Sequence, residues 1–252
     1  MILVTGGTGR TGSEVVRALL ARGAKVRLHA RDLDKARQLF GEDVELATGD
    51  VTDALEGTDA VLLSFGDDPG RVAWETRLID AAGDRRVVRL STIGAAVGSP
   101  VPFWDWHGRV DEHLRSSRAR WTILQSNFYA SNVPAMLQDG KLYAPAGGAR
   151  VAMIDPRDVG AAAAALLLDP GHTGETVVVT GPAPLTFSEA AAAFGGEFVD
   201  VPEEAAPPQF VPLFRELRAG AAAQVTDAVE RLTGAPPRSV TEFARDTGVL
   251  VG

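Results

Sequence analysis

Thr5-Gly6-Gly7-Thr8-Gly9-Arg10-Thr11-Gly12, near the start of the chain, is where residue type and spacing point most directly to a chemistry. Gly7, Gly9 and Gly12 satisfy G-x-G-x-x-G, while Gly6, Gly9 and Gly12 satisfy G-x-x-G-x-x-G; both patterns belong to dinucleotide binding. Glycines permit a tight turn and let backbone N–H groups approach a pyrophosphate, which then sits at the positive end of the following helix. A triphosphate loop is disfavoured because Ser13 stands where that motif needs Lys. The choice between dinucleotides is read at the end of the second strand, Leu28-His29-Ala30-Arg31-Asp32. An acid there grips a ribose 2′-OH and a base meets a 2′-phosphate, so Arg31 predicts NADP(H) in preference to NAD(H). Asp32 is the rival, with a competing role as N-cap of a helix over Leu33–Phe40.

These residues need a strand before them and a helix after. Ile2–Thr5 reads as a buried strand, and residues 13–22 as a helix whose Val15, Val16, Leu19 and Leu20 form one apolar face, ended by Gly23. Further β-branched runs at 25–30, 44–46, 60–65, 87–90 and 121–124 alternate with helical sequence, which predicts βα units on a doubly wound parallel sheet. Beyond Asn127 the pattern loosens around Pro134, Pro145, Pro156 and Pro170, with an alanine-rich helix at 158–168 and a strand at 176–180. From Phe187 the chain reads as mostly helical. The expected organisation is α/β: a dinucleotide-binding domain over 1–126 plus part of 150–182, and a smaller substrate cap from 127–150 and 183–252.

Composition bounds the function. With 25 Lys+Arg against 33 Asp+Glu the formal charge is −8, which argues against nucleic acid as a partner. There are no cysteines, so disulfides, thiolate metal sites and cysteine nucleophiles are excluded. No apolar stretch approaches the ~18 residues of a membrane span, and no basic leader precedes Met1 to Val4; a cytoplasmic, unanchored protein is expected. His29, His113 and His172 lack metal-ligand spacing, and no G-x-S-x-G or H-E-x-x-H occurs.

Strand, glycine turn, Arg31, then Gly49-Asp50-Val51 after the third strand together resemble the NmrA-like branch of the atypical short-chain dehydrogenase/reductases, with their NAD(P)-binding Rossmann fold. The resemblance continues through Val88-Arg89-Leu90-Ser91-Thr92-Ile93-Gly94-Ala95, Trp121-Thr122-Ile123-Leu124, Ile154-Asp155-Pro156-Arg157-Asp158-Val159 and Val179-Thr180-Gly181-Pro182. It implies that Asp50 hydrogen-bonds the adenine amino group, that Val51 packs on the ring, and that Ser64, Phe65 and Gly66 line the cofactor.

Aligned on the same family, Phe103 falls at the Tyr and His107 at the Lys of the superfamily's Tyr-x-x-x-Lys pair, and the common Leu-Arg-Pro becomes Leu124-Gln125-Ser126. Phe cannot give a proton, and an imidazole replaces a permanent cation. Phe103, Trp104, Trp106 and His107, with Asn127, Phe128 and Tyr129, are then expected at strand ends around a flat, apolar small-molecule substrate. The resulting expectation is an NADPH-dependent reductase of a quinone, ketone or imine. Ser91 or Thr92 would act as hydrogen-bond donor, and His107, which also lies at the cofactor, or Tyr129 as proton source. Quinone reductases and tailoring reductases of secondary metabolism are the nearest analogies. The alternatives are a non-catalytic NADP-binding redox sensor and an isomerase or epimerase on the same fold; a monomer or homodimer fits each.

Overall fold

The computed structural model describes residues 1–66 and 68–248 of the 252-residue chain. In chain order the first half supplies β1 (Ile2–Thr5), α1 (Arg10–Leu20), β2 (Val26–His29), α2 (Leu33–Phe40), β3 (Glu45–Ala47), β4 (Ala60–Leu63), α3 (Arg71–Ala82), β5 (Arg86–Thr92), α4 (Pro102–Ser116) and β6 (Arg120–Ser126). The second half supplies α5 (Asn132–Met136), β7 (Leu137–Gln138), β8 (Lys141–Ala144), β9 (Arg150–Val151), α6 (Pro156–Leu168), β10 (Glu175–Val179), β11 (Leu185–Thr186), α7 (Phe187–Ala193), β12 (Glu197–Asp200), α8 (Val211–Arg218), α9 (Ala228–Thr233) and α10 (Val240–Thr247).

Seven strands pair in parallel in the order β10-β6-β5-β4-β1-β2-β3, giving a Rossmann-like α/β sheet. Strand order reverses between β1 and β4, so a crevice opens beyond their carboxyl ends. Such strands are covered on both faces and therefore read as continuous apolar runs. One face is sealed by Val15, Val16 and Leu19 of α1 and by the alanines of α6, the other by Leu78 and Ile79 of α3 with Val110 and Leu114 of α4.

A second core lies beyond β6. Phe187, Phe194, Phe214 and Phe243 pack there with Val101 and Trp104, around the small sheet β12-β8-β7 and the antiparallel pair β11-β9. Of residues 183–252, grouped from the sequence as cap, 249–252 lie outside the described residues and the others divide between the cores: α7, α8 and α10 contribute to the second, whereas Ala228 and Val229 of α9 pack in the first. The stretch after Phe187 is also less helical than expected, because Glu197–Asp200 forms β12 beside β8. Among the described residues no helix is long and apolar enough to cross a membrane.

α1 starts at Arg10, three residues before the expected start, so that Gly12 lies inside its first turn. α6 crosses α1 at Gly160, where an added Cβ would lie 2.6 Å from Glu14 Cβ. Gly160→Ala must force these two helices apart, and the expected loss is about 1–3 kcal/mol of stability. Urea denaturation checks it; an equally stable variant would show that the helices do not meet there.

Candidate active site

The crevice begins at the glycine turn. Gly6 holds a left-handed backbone (φ +66°) that glycine adopts without the steric cost other residues carry. A Cβ on Gly7 would lie 2.4 Å from Leu28 Cδ1, and one on Gly12 would lie 2.2 Å from the Gly6 carbonyl oxygen. Glycine at these positions is therefore a packing requirement, and the turn is pressed against the sheet with Gly9 exposed at its rim. Gly9 caps α1 without any side-chain hydrogen bond, and the first turn carries no acid. The free N–H groups and the positive end of an 11-residue helix thus face the crevice. A dinucleotide pyrophosphate fits this cradle. The Thr5 hydroxyl, shared between the Leu62 and Ser64 carbonyls at 3.0 Å while accepting the Ser64 N–H, ties the turn to the end of β4.

Around the crevice, Arg31 is exposed just after β2, and the Asp32 carboxylate accepts the Lys35 N–H at 2.9 Å as N-cap of α2. Asp50 accepts both the backbone N–H and the hydroxyl of Thr52 at 2.9 Å and pairs with Arg77 of α3, interactions that hold its carboxyl below the usual range. Val51 beside it is buried. Phe65 stacks at 4.8 Å on Trp74 of α3, between half-buried Ser64 and exposed Gly66. Arg10, first residue of α1, reaches the Ser131 carbonyl across the crevice, with Thr8 and Thr11 half-buried beside it.

Beneath the ends of β5 and α4 lies a group of ionisable side chains closed off from water. Arg71 and Glu75 of α3, Arg89 of β5 and Asp111 of α4 are each no more than 1% exposed, and His107 of α4 is 8% exposed. Arg71 Nε donates to Glu75 Oε2 at 2.9 Å, Arg89 Nη2 donates to the same oxygen at 3.1 Å, and Arg89 Nη1 pairs with Asp111. Two guanidiniums against two carboxylates leave these four groups formally neutral, which is how buried charge is tolerated.

His107 Nε2 lies 2.9 Å from Arg71 Nη1, and Nδ1 lies 3.3 Å from Arg89 Nη2. Burial first, and then the fields of Arg89 and Arg71, depress its pKa well below the ordinary imidazole value. Guanidinium only donates, so one ring nitrogen accepts and the ring stays neutral. The Ser91 hydroxyl donates to Asp111 Oδ2 at 2.7 Å. Burial lifts the Asp111 pKa, while Arg89 and Ser91 oppose the lift.

The aromatic residues divide. Phe103 and Phe128 are half-buried at the edge of the second core, Phe128 against Phe187 at 5.7 Å, and Trp106 is half-buried on α4. Trp104 is committed to packing: it is 4% exposed within the second core, with Gly94 so close that a Cβ there would lie 2.6 Å from the indole. Asn127 is equally committed, its amide donating to the Ala222 carbonyl at 2.9 Å and its oxygen accepting the Phe128 N–H at 2.7 Å. Half-buried Tyr129 accepts from Ser126 Oγ at 2.9 Å, and the half-buried Thr92 hydroxyl donates to the Ile93 carbonyl at 3.3 Å. Sequence reasoning missed Arg71, Glu75, Arg89 and Asp111. The available signal was Arg89 itself, a charge inside the apolar run Val87-Val88-Arg89-Leu90.

A family described as NAD(P)H-binding matches residues 6–170. The NAD(P)H azoreductase of Xenophilus azovorans is 35% identical over 100% of this chain and 99% of its own. An NADPH-dependent quinone oxidoreductase from Escherichia coli, solved with NADPH, shares the fold at a TM-score of 0.87 and 23% identity, covering 98% of this chain and 100% of that one. NmrA, a negative transcriptional regulator solved with NAD, does so at 0.80 and 20% identity, over 97% and 94%. The chain belongs to this NAD(P)H-binding family, and it shares its fold with the quinone oxidoreductase and NmrA structures.

The depressed His107 pKa has a sign that can be measured. Between its folded pKa and about 6.5, the unfolded chain carries a proton there that the folded chain does not, so stability falls as pH drops below the unfolded value. Asp111, with its raised pKa, contributes stability at low pH that is lost as pH rises through its folded pKa, but it is common to both proteins compared. Chemical denaturation from about pH 7 to 5 should show the parent losing up to ~1.4 kcal/mol per pH unit more than His107→Gln. Parallel curves would show that His107 is not held neutral.

Proposed function

We propose that this NAD(P)H-dependent oxidoreductase reduces a flat, apolar, conjugated acceptor such as an azo compound, a quinone or an imine, and that it takes NADP(H) in preference to NAD(H). The observation that carries the reading is the glycine cradle opening on an uncapped helix N-terminus at the point where the strand order reverses. The names of the azoreductase and quinone reductase relatives support the acceptor class. A bound reduced nicotinamide supplies a hydride, and the protein supplies binding, orientation and proton management.

On this reading the backbone N–H groups of residues 10–12, in the first turn of α1, hold the pyrophosphate, while the Gly9 N–H closes the turn on the Gly6 carbonyl at 3.0 Å. Arg31 meets the 2′-phosphate because the neighbouring acid, Asp32, is already spent on capping α2. Phe65, Phe103, Trp106 and Phe128 give apolar surface for a planar acceptor. His107, neutral and engaged within the buried cluster, is a poor proton source, so of the two acids expected from the sequence Tyr129 is the one left for an acceptor that needs a proton. The same replacement of Tyr and Lys by Phe103 and His107 favours a second reading, a dinucleotide sensor that binds without turnover, and the structural likeness to NmrA is in keeping with it.

Fluorescence titration of NADPH and NADH into the parent and Arg31→Ala, followed by addition of an azo compound and a quinone, separates these readings. The expected outcome is tighter NADPH binding that weakens about tenfold or more in the variant, with NADH unaffected, and oxidation of NADPH once an acceptor is added. Equal affinities would overturn the cofactor preference. NADPH that stays reduced before every acceptor would replace the reductase with the sensor.

A further inference from the structure

His107 and Asp111, four residues apart on one side of α4, meet Arg89 and Ser91 of β5, and Phe103 stands one turn before them at the edge of the second core. Phe103 has no polar atom, and both ring nitrogens of His107 face guanidiniums inside the buried cluster, where one of them accepts. Asp111 pairs with Arg89 through Oδ1 and takes the Ser91 hydroxyl through Oδ2 at 2.7 Å. A hydroxyl has one hydrogen. With that hydrogen on Asp111, Ser91 Oγ, in a residue 3% exposed next to the carboxyl end of β5, keeps only lone pairs for any further partner, and Thr92 beside it spends its own hydrogen on the Ile93 carbonyl.

We propose that Asp111 is a positioning residue that fixes Ser91 as a hydrogen-bond acceptor, and that the site is thereby built for nitrogen acceptors, C=N or N=N, taken up as their conjugate acids. This rests on the reductase reading above and narrows its substrate class. An iminium or a protonated azo group brings an N–H for Ser91 to accept, whereas a quinone brings oxygens that call for donors. In the step itself the hydride pair forms the new C–H or N–H bond. The π pair moves onto the protonated nitrogen as a lone pair and cancels its charge, and no proton leaves the protein. The groups facing Asp111 are Arg89 and Ser91 from β5 and Arg115 and His107 on its own helix, with Glu75 and Arg71 of α3 behind Arg89. Arg89, Ser91 and Arg115 favour the carboxylate against the cost of burial.

The test is kcat/KM at saturating NADPH from about pH 6 to 9 for cyclic imines whose conjugate acids differ in pKa, and for a quinone of similar size. Each imine profile is expected to fall at its own substrate's pKa. Ser91→Ala should lower the imine-to-quinone ratio of kcat/KM about tenfold, and Asp111→Asn, whose amide can donate to Ser91 and turn its hydrogen outward, should move the ratio the same way. Thermal midpoints accompany both variants, and Ser91→Ala keeps the Arg89–Asp111 pair, so it reports even where Asp111→Asn does not fold. One pH inflection shared by every substrate and lost in Tyr129→Phe, or an unchanged ratio in folded Ser91→Ala, overturns the proposal. If neither acceptor class is reduced, the reductase reading fails separately. In that case benzamidinium must bind the NADP-loaded protein more tightly than acetophenone, with Ser91→Ala erasing the difference; equal binding overturns the proposal.

Discussion

Two arginines, a glutamate and an aspartate buried between β5, α3 and α4 impose the constraint on which the rest of the site depends. Ions out of water are tolerable only when each faces an opposite charge in good geometry, and removing one partner leaves the other exposed to the full cost of burial. Arg89 is the hinge of this arrangement, since it bridges Glu75 and Asp111. That obligation fixes where α3 and α4 stand against β5. It also fixes the state of the groups at its margin, holding His107 neutral between guanidiniums and turning the Ser91 hydrogen inward.

The cofactor side of the crevice obeys a different rule, which is exclusion of side-chain atoms. Gly7 and Gly12 are required because any Cβ would meet Leu28 or the Gly6 carbonyl, and the close approach they permit leaves the N-terminus of α1 uncapped by protein. The two walls meet through α3. Its first residue, Arg71, is part of the ion cluster, while Trp74 one turn on stacks against Phe65 at the end of β4. The Phe65–Trp74 contact at the end of β4 and the buried charge are therefore joined through α3.

Most strands of the main sheet could be read from the sequence because they are short apolar runs set between polar or glycine residues, and burial on both faces demands such runs. Asp32 could be read as a cap for a similar reason, since the N-cap preference is local. The strands β7, β9 and β11 could not, because two residues carry no periodicity, and β12 owes its existence to pairing with β8. Nor could the ion cluster. Arg89 finds its partners 14 and 22 positions away on separate helices, and nothing local marks Glu75 or Asp111 as buried. Trp104 shows the converse error: an aromatic at a helix start suggests a ligand wall, yet the loop at Gly94 leaves a slot that the indole fills.

The central claim is that this crevice passes a hydride from a bound nicotinamide to a conjugated acceptor. Its most direct test is a single turnover with NADPH deuterated at one face of the nicotinamide C4 and a cyclic imine as acceptor, the product analysed by mass spectrometry. The account predicts one deuterium in the product from one face of the cofactor and none from the other. A product without deuterium from either face, or no product beside firmly bound NADPH, would contradict it.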